Sequence, residues 1–492
     1  MTGFSASGAD GATNAPSVAF VTLGCAKNEV DTDKMRTRLR MAGYGVADDA
    51  AAADLVIVNT CSFLSSATAE SIDEIFSVLA AQEGTEHAGK VLVAGCMPSR
   101  YGDELAEELS EVAGFLPADE EGRVVEVVAR LIGPACADGA PGAANGDADG
   151  ETGDGARGAQ AADAAARGGW RSREQAFAYV KVSDGCDRFC SYCMIPHIRG
   201  RYRSFPLDDI LAEVECLVDA GVAEVVFIGQ DTGIWGSDFP EPDTLSHLLS
   251  EAAARFPSTW FRVMYTQPEG IDDELLALMR DEDNVCSYLD IPLQHCDPQV
   301  LEAMNRSGSA AGYLSLVEHA RSTVPGIGLR TTFMAGFPGE APEQTEALVE
   351  FADAAAFDFG GVFPYSREEG SAAAELDGQL PEDEKLERAQ RLSDVVEHAG
   401  WRRAEERVGR VFQVLVEGFE ETDAGLEALC RAQFQAPEVD GQVHVPVPSA
   451  EKPAVGSFAR VRIVDSFCHE LVGELLDEGG AAGFGRGGAQ LS

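Results

Sequence analysis

The sequence predicts an α/β chain in three parts: an N-terminal open parallel α/β sheet, a central partial (β/α)6 barrel and a small C-terminal β-barrel. Three observations predict it. Continuous apolar runs alternate with helical stretches through the first two parts, as buried parallel strands alternate with their crossover helices. The stretch 134–170 is Ala, Gly and Asp with almost no large apolar residues. It cannot repay its own ordering entropy, so it reads as a flexible linker. From about residue 404 the texture changes to short β-like runs split by Gly, Pro and Asp, "RVFQVLVEGF", "QVHVPVP" and "SFARVRIVDSF" among them.

In chain order, residues 1–16 are small and polar and read as a disordered tail. Within 17–133, "SVAFVTLGC", "LVIVNTC" and "KVLVAGC" are apolar strands that run into loops, each followed by a helical stretch. Within 171–403, strands are expected near 177–183, 224–229, 260–265, 287–291, 328–335 and 358–363, with helices between them. Six βα units close part of a barrel and place its site at the C-terminal ends of the strands. Residues 404–475 form the small barrel, and 476–492 a Gly-rich tail. A length of 492 residues suits roughly three domains.

The net charge is −46, from 37 Lys and Arg against 83 Asp and Glu. A field of that sign opposes sequence-blind nucleic-acid binding and favours a basic protein partner. No window approaches the roughly 20 apolar residues of a membrane span. The N-terminus lacks the basic start and apolar run of a signal peptide, so a cytoplasmic protein is expected.

Twelve cysteines in such a chain suggest metal ligation or catalysis rather than a disulfide framework. Cys186, Cys190 and Cys193 form a CxxxCxxC pattern in "DGCDRFCSYCMIP", just past the first barrel strand. Soft thiolates at this spacing select an iron–sulfur cluster or zinc. Zinc normally needs a second ligand pair some 12–20 residues on, which this stretch does not offer. Cys25, Cys61 and Cys96 each end one of the three N-terminal strands, 36 and 35 residues apart. In a parallel sheet they would converge at the C-terminal edge, where such sheets bind ligands. One such cysteine would read as a core residue; three at equivalent strand ends do not. Cys136 sits at the linker's edge as a bystander, and Cys216, Cys286, Cys430 and Cys468 carry no motif.

The CxxxCxxC spacing at the first strand of a βα barrel resembles the signature of radical S-adenosylmethionine (SAM) enzymes. That resemblance implies a four-iron cluster held by Cys186, Cys190 and Cys193, with SAM on the fourth iron and Tyr192 near its adenine. Two cysteine triads and a terminal β-barrel resemble the methylthiotransferases, which replace C–H with C–SCH3. The likeness covers 17–475 apart from the linker, with the last part resembling a TRAM domain. It implies a second four-iron cluster on Cys25, Cys61 and Cys96. "TLGCAKNEVDTDKM", "VNTCSFLSSATAESIDEI", "YLDIPLQHC", "GFPGE" and "FGGVFPYSREEGSAAAEL" resemble the branch that modifies an aspartate of small-subunit ribosomal protein twelve. The other branch modifies tRNA adenosines. Residues 404–474 hold six Lys and Arg against thirteen Asp and Glu, a poor balance for gripping RNA.

Ser62, "SDGC" at 183–186, "RSFP" at 203–206 and Cys296 depart from the family's usual residues, and none removes a cysteine of either triad. Gln230, Asp231, Gln294 and Arg330 are candidate SAM contacts at strand ends, with "GFPGE" a glycine-shaped turn nearby and His295 a rim or substrate residue. The implied partners are a basic ribosomal protein, at the terminal barrel and barrel mouth, and a low-potential electron donor such as flavodoxin or ferredoxin. A tRNA methylthiotransferase and a non-catalytic iron–sulfur or zinc scaffold are the rival readings.

Overall fold

The structure, a computed structural model, describes residues 15–85, 87–135, 175–423, 425–448 and 452–476. Most of the expected tails and linker, with Cys136, lie outside the described residues. Two compact units divide the chain, residues 1–62 with 66–152 and residues 63–65 with 153–492.

The first unit is a five-stranded parallel sheet. Its strands β1 (Ser17–Thr22), β2 (Gly45–Ala47), β3 (Leu55–Thr60), β4 (Val91–Gly95) and β5 (Gly114–Pro117) lie in the order β2-β1-β3-β4-β5. Two more strands are present than the apolar runs announce, and both are short edges. The central strand "LVIVNT" is buried along its whole length. Alternate side chains point to opposite faces. Leu55 and Ile57 pack with Met35, Leu39 and Val128 on one face, and Val56 and Val58 with Ile75 and Met97 on the other.

The second unit begins with β6 (Phe177–Lys181) and a two-residue pairing of β7 (Ser183–Asp184) with β8 (Arg203–Ser204). Strands β9 (Glu224–Ile228), β10 (Trp260–Val263), β11 (Tyr288–Gln294), β12 (Gly328–Ala335) and β13 (Phe359–Pro364) follow. Strands β6, β9 and β10 form one parallel sheet, and β11, β12 and β13 another. A parallel bridge from Phe261 to Val285 joins the two. The six expected strands are thus present in chain order around one apolar core. The last five strands, β14 (Val411–Thr422), β15 (Gly425–Ala432), β16 (Val443–Pro446), β17 (Phe458–Phe467) and β18 (Glu470–Leu475), close a small barrel.

This small barrel docks on the N-terminal ends of the core strands. Glu224, first in β9, is fully buried between Arg262 (Nε to Oε1, 2.7 Å) and Arg431 of β15. Arg431 also pairs with Glu417 at 2.7 Å, and Arg262 donates to the Gln433 carbonyl at 2.7 Å. Asp440 accepts from Tyr288 Oη and Arg330, both at 2.6 Å. The Trp260 and Phe458 rings lie 4.7 Å apart between their centroids.

Candidate active site

The opposite ends of the same strands carry the cysteine loop. Gly185, at φ +74°, turns the chain into it; a Cβ there would stand 2.2 Å from the Arg201 carbonyl oxygen. The Cys186 amide donates to the Gly200 carbonyl at 3.2 Å, and that of Cys193 to Cys190 at 2.9 Å. Asn305 Nδ2 donates to the Arg188 and Phe189 carbonyls, both at 3.0 Å, and the Ser191 amide to the Met304 carbonyl at 3.0 Å. The loop between the thiols is therefore fixed by hydrogen bonds from a second segment, two of them from the Asn305 side chain. Burial pushes the Cys193 thiol up to about 12 and raises that of Cys186. A thiolate in so buried a place calls for a cation to hold it.

Around this loop, Phe189 (φ 49°), Tyr265 (φ 64°), Gln294 (φ 70°) and Asn305 (φ 56°) hold left-handed backbone, which costs a non-glycine residue about 1–3 kcal/mol. Asp231 is fully buried, and its Oδ2 accepts from Arg188 Nε at 2.5 Å. Arg188 also meets Glu269 at 3.0 Å. Gln230 Nε2 donates to Asp184 Oδ1 at 3.1 Å. Among the described residues, Gln230 Oε1, Asp231 Oδ1 and His295 Nε2 are buried without a hydrogen-bond partner. Unpaired buried polar atoms cost about 1–3 kcal/mol each. Placed just past β9 and β11, they suit a polar ligand with amino, carboxylate and hydroxyl groups, as SAM has.

His295 Nδ1 accepts the Asp297 amide at 3.0 Å, so the neutral ring carries its proton on Nε2. Burial lowers its pKa and keeps it neutral near pH 7. Tyr192 packs against the barrel core, and burial raises its pKa well above the ordinary value. Arg306, which sequence reasoning passed over, is the cation beside it. It donates to Gln267 Oε1 at 2.6 Å and the Pro292 carbonyl at 2.7 Å. The "GFPGE" turn is built on Glu340, whose carboxylate accepts from the amides of Gly336 (2.7 Å) and Phe337 (3.0 Å) and from Thr345 Oγ1 (2.6 Å).

Arg330 corrects the sequence reading. It is the third residue of β12, at the end away from the cysteine loop, and its guanidinium is taken by Asp440. It does not share the mouth with Gln230, Asp231 and Gln294.

In the first unit the second triad comes together. Cys25 precedes the helix Ala26–Met41 as its N-cap, Cys61 follows β3, and Cys96 opens the helix Cys96–Tyr101. A Cβ on Gly24 (φ +101°) would lie 2.7 Å from Cys61 Cβ. Asn28 Oδ1 stands 4.0 Å from Cys25 Sγ and 3.9 Å from Cys96 Sγ. Among the described residues no group of three or more His, Cys, Asp and Glu side chains is arranged to hold a metal ion.

Three thiols on one clamped loop at the mouth of a partial βα barrel define the radical SAM class. Residues 180–352 match the Radical SAM superfamily, 17–117 the family described as Uncharacterized protein family UPF0004, and 408–476 the TRAM domain. The superfamily brings SAM and a four-iron, four-sulfur cluster as cofactors. Ribosomal protein uS12 methylthiotransferase RimO of Trichlorobacter lovleyi is 38% identical over 94% of this chain and 98% of its own. The proteins of the same name from Geotalea uraniireducens (39%) and Geobacter sulfurreducens (38%) each align over 93% of this chain and 98% of theirs. The chain belongs to the RimO family of ribosomal protein uS12 methylthiotransferases. Among solved structures, the radical SAM methyltransferase TsrM from Kitasatospora setae, bound to tryptophan and a SAM analogue, shares the fold with a TM-score of 0.53. It is 16% identical and aligns over 79% of this chain and 90% of its own. Among the described residues no helix is long and apolar enough to cross a membrane.

Proposed function

We propose that this chain replaces a C–H bond on the β-carbon of an aspartate of ribosomal protein uS12 with C–SCH3. The observation that carries this reading is the near full-length similarity to the uS12 enzymes, with both cysteine triads at strand ends. Cys186, Cys190 and Cys193 are the ligands assigned to the radical SAM cluster, and Cys25, Cys61 and Cys96 those of a second four-iron cluster. When bound, the first cluster with SAM supplies a 5′-deoxyadenosyl radical to take the hydrogen, and the second supplies the methylthio sulfur. The chain's own part is to place these groups and keep water out. Asn305 and Ser191 hold the first cysteine loop in shape. Gln230, Asp231, Gln294 and His295 offer polar groups to SAM, Tyr192 an aromatic face to its adenine, and Arg188 holds the Asp231 carboxylate in place.

Residues 17–133, 171–403 and 404–475 are assigned as the second-cluster, radical and terminal-barrel domains. A low-potential carrier such as flavodoxin or ferredoxin is the assigned electron source, and the cytoplasm, where ribosomal proteins are assembled, the place of action. Of the charges at 404–474, Arg407, Arg431 and Asp440 are buried in ion pairs, and the acidic excess of the stretch remains with them set aside. That favours a basic protein substrate over tRNA. The test incubates the anaerobically reconstituted enzyme with SAM, reductant and either uS12 or tRNA. Mass spectrometry should find one CH2S unit added to an aspartate of uS12. Methylthio-adenosine with unmodified uS12 would sink the proposal.

A further inference from the structure

The three cysteines of the first unit come from three separate loops, and one side chain links all of them. Asn28, in the first turn of the helix Ala26–Met41, is fully buried. Its Nδ2 donates to the Leu23 carbonyl at 2.8 Å, on the loop that delivers Cys25. It also donates to the Thr60 carbonyl at 2.9 Å, on the residue before Cys61. Those two bonds fix the amide's orientation, because a turned amide would set its oxygen against both carbonyls. The oxygen then faces sulfur, 4.0 Å from Cys25 Sγ and 3.9 Å from Cys96 Sγ. A residue that served the helix alone would satisfy helix amides. Asn28 instead gives its donors to the loops of two ligand cysteines and turns its oxygen to the third.

A second buried layer supports it. Asn59 Nδ2 donates to the Asn28 carbonyl at 2.9 Å and to Thr32 Oγ1 at 3.0 Å. Thr60 Oγ1 donates to the Ala94 carbonyl at 2.6 Å and accepts the Met97 amide at 3.3 Å, which ties the Cys61 loop to the Cys96 loop. Asn28, Asn59 and Thr60 are all fully buried. Hydrogen bonds between buried polar groups of this kind hold the loops in one arrangement.

The geometry points to Asn28 as the positioning residue of this site: it sets the spacing of Cys25, Cys61 and Cys96 before any metal arrives. The inference rests on the proposed second cluster. Its chemistry is that of an outer partner that orients metal ligands, whose loss costs about tenfold to a hundredfold in metal affinity.

The test uses the full chain with Cys186, Cys190 and Cys193 all changed to Ala, so that bound iron belongs to the N-terminal triad. Iron and sulfide content, the rate of cluster loss to a chelator, and the electron paramagnetic resonance spectrum of the reduced protein are measured after anaerobic reconstitution. Asn28→Ala should lose its cluster at least about tenfold faster and show a shifted spectrum. Thr37→Val, a same-sized change at a buried position further along the same helix and outside these hydrogen bonds, should stay within about twofold of the background. Should Asn28→Ala fail to melt cooperatively without metal, the same-sized Asn28→Asp is read in its place, since it also lacks the two donors. Equal retention and an unchanged spectrum in the Asn28 variant overturn the inference. A background that binds no iron overturns the second-cluster reading instead.

Discussion

Gly185 decides whether the first cysteine loop can close. It combines a left-handed φ of +74° with a wall of backbone at 2.2 Å from a would-be Cβ, and backbone cannot move aside as a flexible side chain can. Gly185→Ala should fold and yet hold several-fold less iron at the radical site, read in a chain whose N-terminal cysteines are changed to Ala. Full iron occupancy there would contradict the geometry. Asp231→Asn keeps the shape and removes the charge beside Arg188. With Asp231 Oδ1 offered to SAM as proposed, the loss of one charge-assisted bond, about 1.5–3 kcal/mol, should weaken SAM binding by about tenfold or more, checked by equilibrium dialysis. His295 gives a pH signature. Its folded pKa lies below the ordinary 6.5, so it stabilises the fold above that value and loses the contribution as pH falls toward the folded pKa. His295→Gln should flatten the dependence of thermal stability on pH just below 6.5. Residues like these were unevenly legible. The cysteines announced themselves by spacing. Asn28 and Arg306 did not, because most of their partners lie on distant segments, and one-dimensional spacing holds no trace of those.

At the scale of elements, the attachment of the terminal barrel is the sharpest case. Burial alone would raise the Glu224 pKa, but Arg262 and Arg431 more than offset that and hold it below the ordinary value. A carboxylate held low stabilises the fold above its ordinary value of about 4.5 and loses that contribution as pH falls through its folded pKa. Acid should therefore loosen the terminal barrel from the core strands. Arg431→Leu leaves Glu224 and Glu417 short of a cation and should cost about 3–5 kcal/mol in urea unfolding. A loss under 1 kcal/mol would show that the network relaxes without it. The strands that form this core were readable because "EVVFI" and "LRTTFMA" are dense in β-branched and aromatic residues. β2 and β5 were not, being half-exposed edges of three and four residues with no apolar run. Arg330 stands third in a strand that runs from 328 to 335, so the strand's bounds already placed it away from the C-terminal mouth; only its partner Asp440, 110 residues further on, was out of reach of the sequence.

At the scale of the whole molecule, charge is the property with the longest reach. With a net charge of −46, association with a basic substrate should slow markedly between about 50 and 500 mM salt, measured by stopped-flow mixing with uS12. A salt-independent rate would mean that recognition is short-range. The second unit also separates its two jobs along one axis, with thiols and polar atoms at one end of the six strands and the small barrel at the other. In design terms that makes the small barrel a cartridge. Its address on the core is written in a few groups: the ion pairs of Arg407, Arg431 and Asp440, the Gln433 carbonyl under Arg262, the Glu438 carboxylate on Tyr179 and the ring of Phe458. A foreign five-stranded barrel carrying those groups in register could be grafted there without redesigning the chemistry at the other end.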